Sequence, residues 1–353
     1  VPQRSDASFV CQEFLEENAM KKLRLIATVL MIFALMLSHQ MADGQTGSGP
    51  SKHNLSGKDV EGMLTALSNW GRWGKEDQSG TPNLITTQKR KEAAAQVKEG
   101  VSISLARDLS EMSGAASASF VHKMTETGQN PKSKNAGDSY SFTYHGYLLT
   151  HIDALCHFFH EGKMYNGFSQ QEVTEKGAQR LAVVNMKGGL FTRGVLMDMP
   201  RLWDVKYLEG NRAIYPEDLE AWEKKSGARV QAGDVILIRT GSWARRTVES
   251  ESAVEKNFAG LHASCLPWLK KRDVAVVGSD LATDVFPSGI EGFVMPVHLV
   301  LIRAMGTPIL DNLDLEALSE ATNTRKRWSF LLTAAPLPVQ GGTGSPINPI
   351  ATF

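Results

Sequence analysis

Val235-Ile236-Leu237-Ile238-Arg239-Thr240, entered through Gly233-Asp234 and left through Gly241, is an apolar run with no alternation. A strand with one wet face would alternate apolar and polar residues. An unbroken β-branched run between turn residues therefore predicts a strand covered on both faces. Leu181-Ala182-Val183-Val184-Asn185-Met186, Gly194-Val195-Leu196-Met197-Asp198-Met199 and Val274-Ala275-Val276-Val277-Gly278-Ser279 read the same way. Helical patterning falls between and after them, at Pro216 to Lys225, Ala263 to Lys271 and His298 to Met305, and Phe330 to Leu332 predicts a late strand. Covered strands alternating with helices define a mixed α/β architecture in one domain.

Working outward, Asp59 to Trp70 carries apolar residues at helical spacing (Val60, Met63, Leu64, Leu67), and the Ala- and Lys-rich stretch Gln88 to Glu99 predicts a second helix. Residues 45–58 are rich in Gly, Ser, Thr and Lys, a composition that suits a flexible linker, so the folded domain is expected over 59–353. Before the linker, Met20-Lys21-Lys22-Leu23-Arg24 precedes the mostly apolar Leu25 to Leu37 and the small residues Ala42 and Gly44. That is the layout of a secretory signal over 20–44, which implies a secreted or periplasmic protein. The alternative is an uncleaved anchor, but nothing after Leu37 extends the apolar run, so no stable membrane insertion is expected after cleavage. Residues 1–19 precede the charged start of the signal and are expected to be an upstream extension.

Composition narrows the function. With 42% hydrophobic and 22% charged positions over 353 residues, the chain can bury a large core, which excludes disorder as its main state. Lys+Arg and Asp+Glu both number 38, and no zinc-finger spacing or long basic run appears, so nucleic acid is not an expected partner. Of the three cysteines, Cys11 lies ahead of the signal, and Cys156 and Cys265 are expected as free buried thiols, with a single bridge as the alternative.

Chemistry concentrates at Tyr144-His145-Gly146-Tyr147-Leu148-Leu149-Thr150-His151-Ile152-Asp153-Ala154-Leu155-Cys156-His157-Phe158-Phe159-His160, which holds four of the nine histidines. On an extended segment His151 and Asp153 share a face, and Asp153 to His157 is one helical turn, so a strand-to-helix junction would converge all three. Imidazole and carboxylate are donors that zinc, manganese or iron accept while keeping positions open for water. Spacing alone also allows buried polar residues that satisfy one another, with Asp153 capping a helix.

The segment resembles the metal-binding motif of the cyclase family, which includes bacterial kynurenine formamidases and isatin hydrolases and whose usual form is H-x-G-T-H-x-D-x-x-x-H. Thr150, His151, Asp153 and His157 match it. The resemblance continues in order from Arg72-Trp73-Gly74 and Thr81-Pro82-Asn83-Leu84-Ile85-Thr86, through Arg193 to Asp198, Gly233 to Gly241 and Val277 to Asp280, to Gly342-Thr343-Gly344-Ser345-Pro346. It implies a largely buried β-sheet or barrel-like core flanked by helices, of the swivelling β/β/α type, and a homodimer or homotetramer. It further implies that His151 and Asp153 bind a divalent cation, Zn2+ or Mn2+, as one or two ions. Asp153 would bridge to a second ion, His157 would be the acid/base group, and His298 and Asp311 would serve a second metal or proton transfer. The implied activity is hydrolysis of an amide, formamide, cyclic amide or ester in a small molecule, by water activated on the cation. A cyclase or dehydratase, or an exported non-catalytic binding protein, are the rival functions.

Two positions depart from the motif. Tyr147 stands where the first histidine is usual and Leu149 where glycine is, while Asp311 replaces a common Glu. His145 could replace the missing ligand only if Gly146 makes a bulge or bend. Tyr147 is then expected to hydrogen-bond substrate or water. Among the aromatics, Trp73 and Phe158 are the expected substrate-facing residues, with Trp70, Phe159 and Trp243 as further candidates. Asp280 and Asp284 read equally as support for the site or as turn caps. Gln340 to Pro346 is turn-rich and is expected to close over another surface.

Overall fold

A computed structural model of the chain describes residues 53–109 and 120–353. The upstream extension, the signal and residues 45–52 of the expected linker lie outside the described residues. Among the described residues no helix is long and apolar enough to cross a membrane. The first described helix is Gly57–Ala66, begun by a capping box in which the Ser56 and Asp59 side chains each bond the other's backbone N–H. It starts two residues before the expected domain boundary, because Ser56 supplies the cap.

Eleven strands carry the argument: β1 Ser102–Ser104, β2 Phe120–Glu126, β3 Gly137–Phe142, β4 His151–Asp153, β5 Leu190–Asp198, β6 Val235–Arg239, β7 Val276–Ser279, β8 Ile309–Asp311, β9 Ser329–Ala334, β10 Gly344–Pro346 and β11 Ile350–Thr352. Nine of them form one mixed sheet in the order β1-β11-β9-β5-β6-β7-β8-β4-β10, while β2 and β3 form a separate antiparallel ribbon. The centre, β5-β6-β7-β8, is parallel, and antiparallel strands flank it on both sides. All five residues of β6 are buried, and Val276 and Val277 in β7 are fully buried, as unbroken apolar runs require. Helix Pro216–Ser226 runs one residue past the stretch patterned for it, Leu266–Lys271 falls within its own, and β9 spans the late strand.

One predicted strand is a turn instead. Leu181 takes a left-handed φ of 62° and Val183–Met186 forms a 3-10 turn. Leu181, Ala182 and Val183 are buried as expected, Val184 and Met186 only partly, and the Val183 N–H is bonded to the Gly342 carbonyl. A short apolar run reports burial, and its period does not distinguish a strand from a packed turn. The predicted helix from His298 begins earlier, at Pro296, and widens to π-type hydrogen bonding over Val300–Met305.

The antiparallel pairing of β8 with β4 positions the chemistry. It sets Asp311 opposite His151 and Ile309 opposite Asp153. Asp311 and His151 thus sit where the parallel strands end, the side of an α/β sheet at which ligands usually bind. On the outer edge, β10 pairs Gly344 with Asp153 and Pro346 with His151, so the turn-rich tail closes over this strand.

Candidate metal centre

β4 places His151 and Asp153 on one face, with His151 Nε2 3.5 Å from Asp153 Oδ1. After Asp153 the chain makes a turn rather than the expected helix, closed by the His157 N–H on the Ala154 carbonyl. The turn still returns His157 to the cluster, its Nε2 3.9 Å from Asp153 Oδ2.

His145 joins from the other side. Residues 144–150 bend instead of extending a strand, and Gly146 has φ 138°, a conformation that side chains disfavour. The bend brings His145 Nδ1 to 3.1 Å from Asp153 Oδ1 and stacks its ring on His157, centroids 3.9 Å apart. Its Nε2 lies 3.0 Å from Thr343 Oγ1, and the Tyr144 hydroxyl donates to the Gly344 carbonyl, so the tail holds this loop down. Gly344 is required there, because a Cβ would stand 2.5 Å from the Ile152 carbonyl oxygen and 3.1 Å from the His145 ring.

A second group forms across Asp153. His298 Nε2 lies 3.0 Å from Asp311 Oδ2 and 4.0 Å from Asp153 Oδ2. Its Nδ1 contacts Asp284 Oδ2 at 2.5 Å, and Asp284 also accepts from the Val297 and His298 backbone N–H groups. Asp284 thus both caps the helix and orients His298, joining the two readings its sequence position left open. Asp280 is a turn cap only, accepting from the Thr240, Gly241 and Ser242 N–H groups.

Two sets of donors therefore converge, His145, His151 and Asp153, and Asp153, His298 and Asp311, each with ligand atoms within 4.8 Å of one another. The residues fit a cation. His145 Nδ1 and Asp153 Oδ1 are buried and face each other, yet neither has a hydrogen bond of acceptable geometry. Buried polar atoms left without a partner are costly, and a cation between them would satisfy both. Burial alone would protonate Asp153, but the surrounding imidazoles, His157 foremost, hold its carboxyl well below the ordinary value. For His298 burial opposes the charged ring, and the Asp311 and Asp284 carboxylates overcome it, raising its pKa well above the ordinary value. His157 goes the other way. Burial first, with the neighbouring histidines, lowers it to about 4 against the pull of Asp153, below the ordinary imidazole value. A ring that is neutral at pH 7 can accept a proton.

Of the expected substrate-facing residues, Phe158 is in place, its ring 5.2 Å from that of His157 and 5.6 Å from that of His298. Burial, with the Asp311 and Asp284 carboxylates, raises the pKa of Tyr147. Its half-buried ring packs on Phe258, centroids 5.5 Å apart, within an apolar cluster that includes Leu281, Ala282 and Met295. Trp73 lies under the Arg72 guanidinium, which pairs with Asp273 ahead of β7, the opposite end of that strand from Asp280 and Asp284. Trp70 and Trp243 are committed to the Arg303 and Leu313 carbonyls, and Phe159 is exposed. Cys156 and Cys265 are free and buried, and burial pushes the Cys156 thiol up to about 12. No sequence pattern gives Tyr144, Asn312 and Thr343 a role, although they adjoin His145, Asp311 and Gly344.

A mixed sheet bearing paired His/Asp donor groups at its strand ends defines a metal-site α/β protein. The Cyclase family model matches residues 37–285, and the chain belongs to that family. A crystal structure described as that of a novel cyclase is similar with a TM-score of 0.76 at 29% identity, over 82% of this chain and 99% of that one. Isatin hydrolase A from Ralstonia solanacearum shares the fold, with a TM-score of 0.54 at 19% identity, over 74% of this chain and 93% of that one. The isatin hydrolase of Roseibium aggregatum is 28% identical over 141 residues, 38% of this chain and 49% of that protein. The match thus spans about half the length of that curated relative.

Proposed function

We propose that this protein is a metal-dependent hydrolase that opens an amide, formamide, cyclic amide or ester bond in a small molecule. The observation that carries this reading is Asp153, shared by two donor groups, with His157 beside it and outside both. When bound, Zn2+ or Mn2+ supplies Lewis acidity, which acidifies water and polarises a carbonyl. His145, His151 and Asp153 would hold one ion, and Asp153, His298 and Asp311 a second. His157 takes a proton at Nε2 and returns it to the leaving nitrogen or oxygen, while Phe158 packs against a flat substrate above the imidazoles. The isatin hydrolase relatives favour a cyclic amide among the four bond types.

Purified protein supplied with Zn2+ or Mn2+ should hydrolyse one of a panel of formyl-amide, cyclic-imide and lactone substrates, and lose that activity with chelator. Ring formation from an acyclic precursor would instead mark a cyclase or dehydratase. Tight binding of metal and ligand without turnover would sink the enzyme reading. We further propose export directed by residues 20–44 and a homodimer or homotetramer, to be tested by cell fractionation and by sedimentation of the purified protein.

A further inference from the structure

We infer that Asn312 is a positioning residue that sets the two histidines of the first donor group from the strand carrying the second. The inference rests on the metal-site reading above. Asn312 follows Asp311 at the end of β8, is fully buried, and adopts a left-handed φ of 57°. That conformation is uncommon for a residue with a side chain, though Asn tolerates it better than most. It turns the amide back over β4. There Nδ2 donates to the Gly146 carbonyl at 2.7 Å and to the Leu149 carbonyl at 3.1 Å.

Both acceptors belong to the bend that delivers the histidines. Gly146 follows His145, so holding its carbonyl anchors the bend one residue beyond that ring. The Leu149 carbonyl is shared, because it also lies 2.8 Å from His151 Nδ1. A carbonyl only accepts, so Nδ1 carries the hydrogen and Nε2 is the nitrogen turned toward Asp153. One amide group thus anchors the bend that carries His145 and the acceptor that fixes the tautomer of His151. The Asn312 backbone is itself pinned, with its carbonyl accepting from Thr150 Oγ1 at 2.7 Å and its N–H donating to the Leu281 carbonyl. The contact connects residues 166 and 163 positions apart, which is why neither motif segment shows it on its own.

The test uses the full-length protein, stripped of metal and titrated with Zn2+ alone, with Co2+ as a spectroscopic probe. Asn312→Gly keeps the left-handed backbone and deletes only the amide. It should melt within a few degrees of the wild type as apoprotein, bind Zn2+ about 10–100-fold more weakly, and change the visible spectrum of bound Co2+. Asn312→Asp keeps shape and φ, removes the donor and adds negative charge. Charge alone would tighten cation binding, so weaker Zn2+ binding in this variant also supports positioning. Thr150→Val removes the bond that pins the Asn312 carbonyl but leaves the amide in place, so it should weaken Zn2+ binding less than Asn312→Gly does. Wild-type affinity and an unchanged Co2+ spectrum in Asn312→Gly would overturn the role of Asn312 alone. Failure of the wild type to bind either ion would overturn the metal-site reading and this inference with it.

Discussion

The donor group of His145, His151 and Asp153 and that of Asp153, His298 and Asp311 share a carboxylate but are built by different means. In the second group every donor is at least nine-tenths buried, on a strand end or a helix, and His298 is gripped on both ring nitrogens by carboxylates. In the first, His145 is more than a quarter exposed, sits on a loop, and is held by Thr343 in the tail. The second is therefore preorganised by the sheet, and the first by closure of distant segments over it. Rigid elements hold ligands more precisely than loops do, so the second group should be the tighter of the two and the first the more easily perturbed.

The largest effect should come from removing what the groups share. Asp153→Ala is expected to abolish turnover and bring bound metal to background at both positions, measured by elemental analysis after gel filtration. Retention of one equivalent would show that one group holds an ion without Asp153. His157→Ala lies next in size. Turnover should fall by about 10²–10⁴-fold, the usual range for a general acid or base, with metal content nearly intact. Equal metal loss in both variants would make His157 a ligand.

Asp284→Asn tests the second group without altering a donor. The amide keeps an oxygen for the helix cap but removes the charge facing His298 Nδ1, and about a 10–100-fold weaker affinity for the second equivalent of Zn2+ is expected. Equal weakening of both equivalents would mean that the groups act as one. Gly344→Ala is the matching strain on the first group, since the new methyl meets the Ile152 carbonyl oxygen and the His145 ring. A loss of roughly 1–3 kcal/mol in unfolding free energy, typical of overpacking, should accompany weaker binding of the first equivalent. An unchanged melting curve would show that the tail shifts freely.

The same contrast explains what the sequence disclosed. The strand-borne part was legible, because the apolar runs at Val235 and Val274 report burial on both faces, and the period of two at His151 and Asp153 puts both on one side. The pairing of β4 with β8 was not, since nothing local in His151-Ile152-Asp153 names Ile309-Leu310-Asp311 as its neighbour. His145 could be placed only conditionally. Its approach depends on Gly146 leaving extended geometry and on Thr343 and Asn312, which lie 198 and 167 residues downstream in the chain. Trp73 went to the wrong end of the sheet for the same reason, because aromatic character predicts burial and carries no direction.

The loop between β7 and the His298 helix holds the second group, and its start can be probed by pH. Asp280 is fully buried, and burial raises its carboxyl to about 6 despite the bonds it accepts from Thr240, Gly241 and Ser242. A carboxyl raised in the folded state binds its proton more tightly there than in the unfolded chain. Its contribution to stability is thus fully present below the ordinary value near 4 and is lost as pH rises through about 6. A shift of about two units corresponds to roughly 2–3 kcal/mol. Asp280→Asn should carry a constant penalty for the altered hydrogen bonds and lack this term. Between pH 4 and pH 7 the variant should therefore gain on the wild type, read as the difference in denaturant midpoints at each pH. Parallel pH profiles would show that Asp280 titrates at its ordinary value, and that the loop behind the second group is wetter than its burial implies.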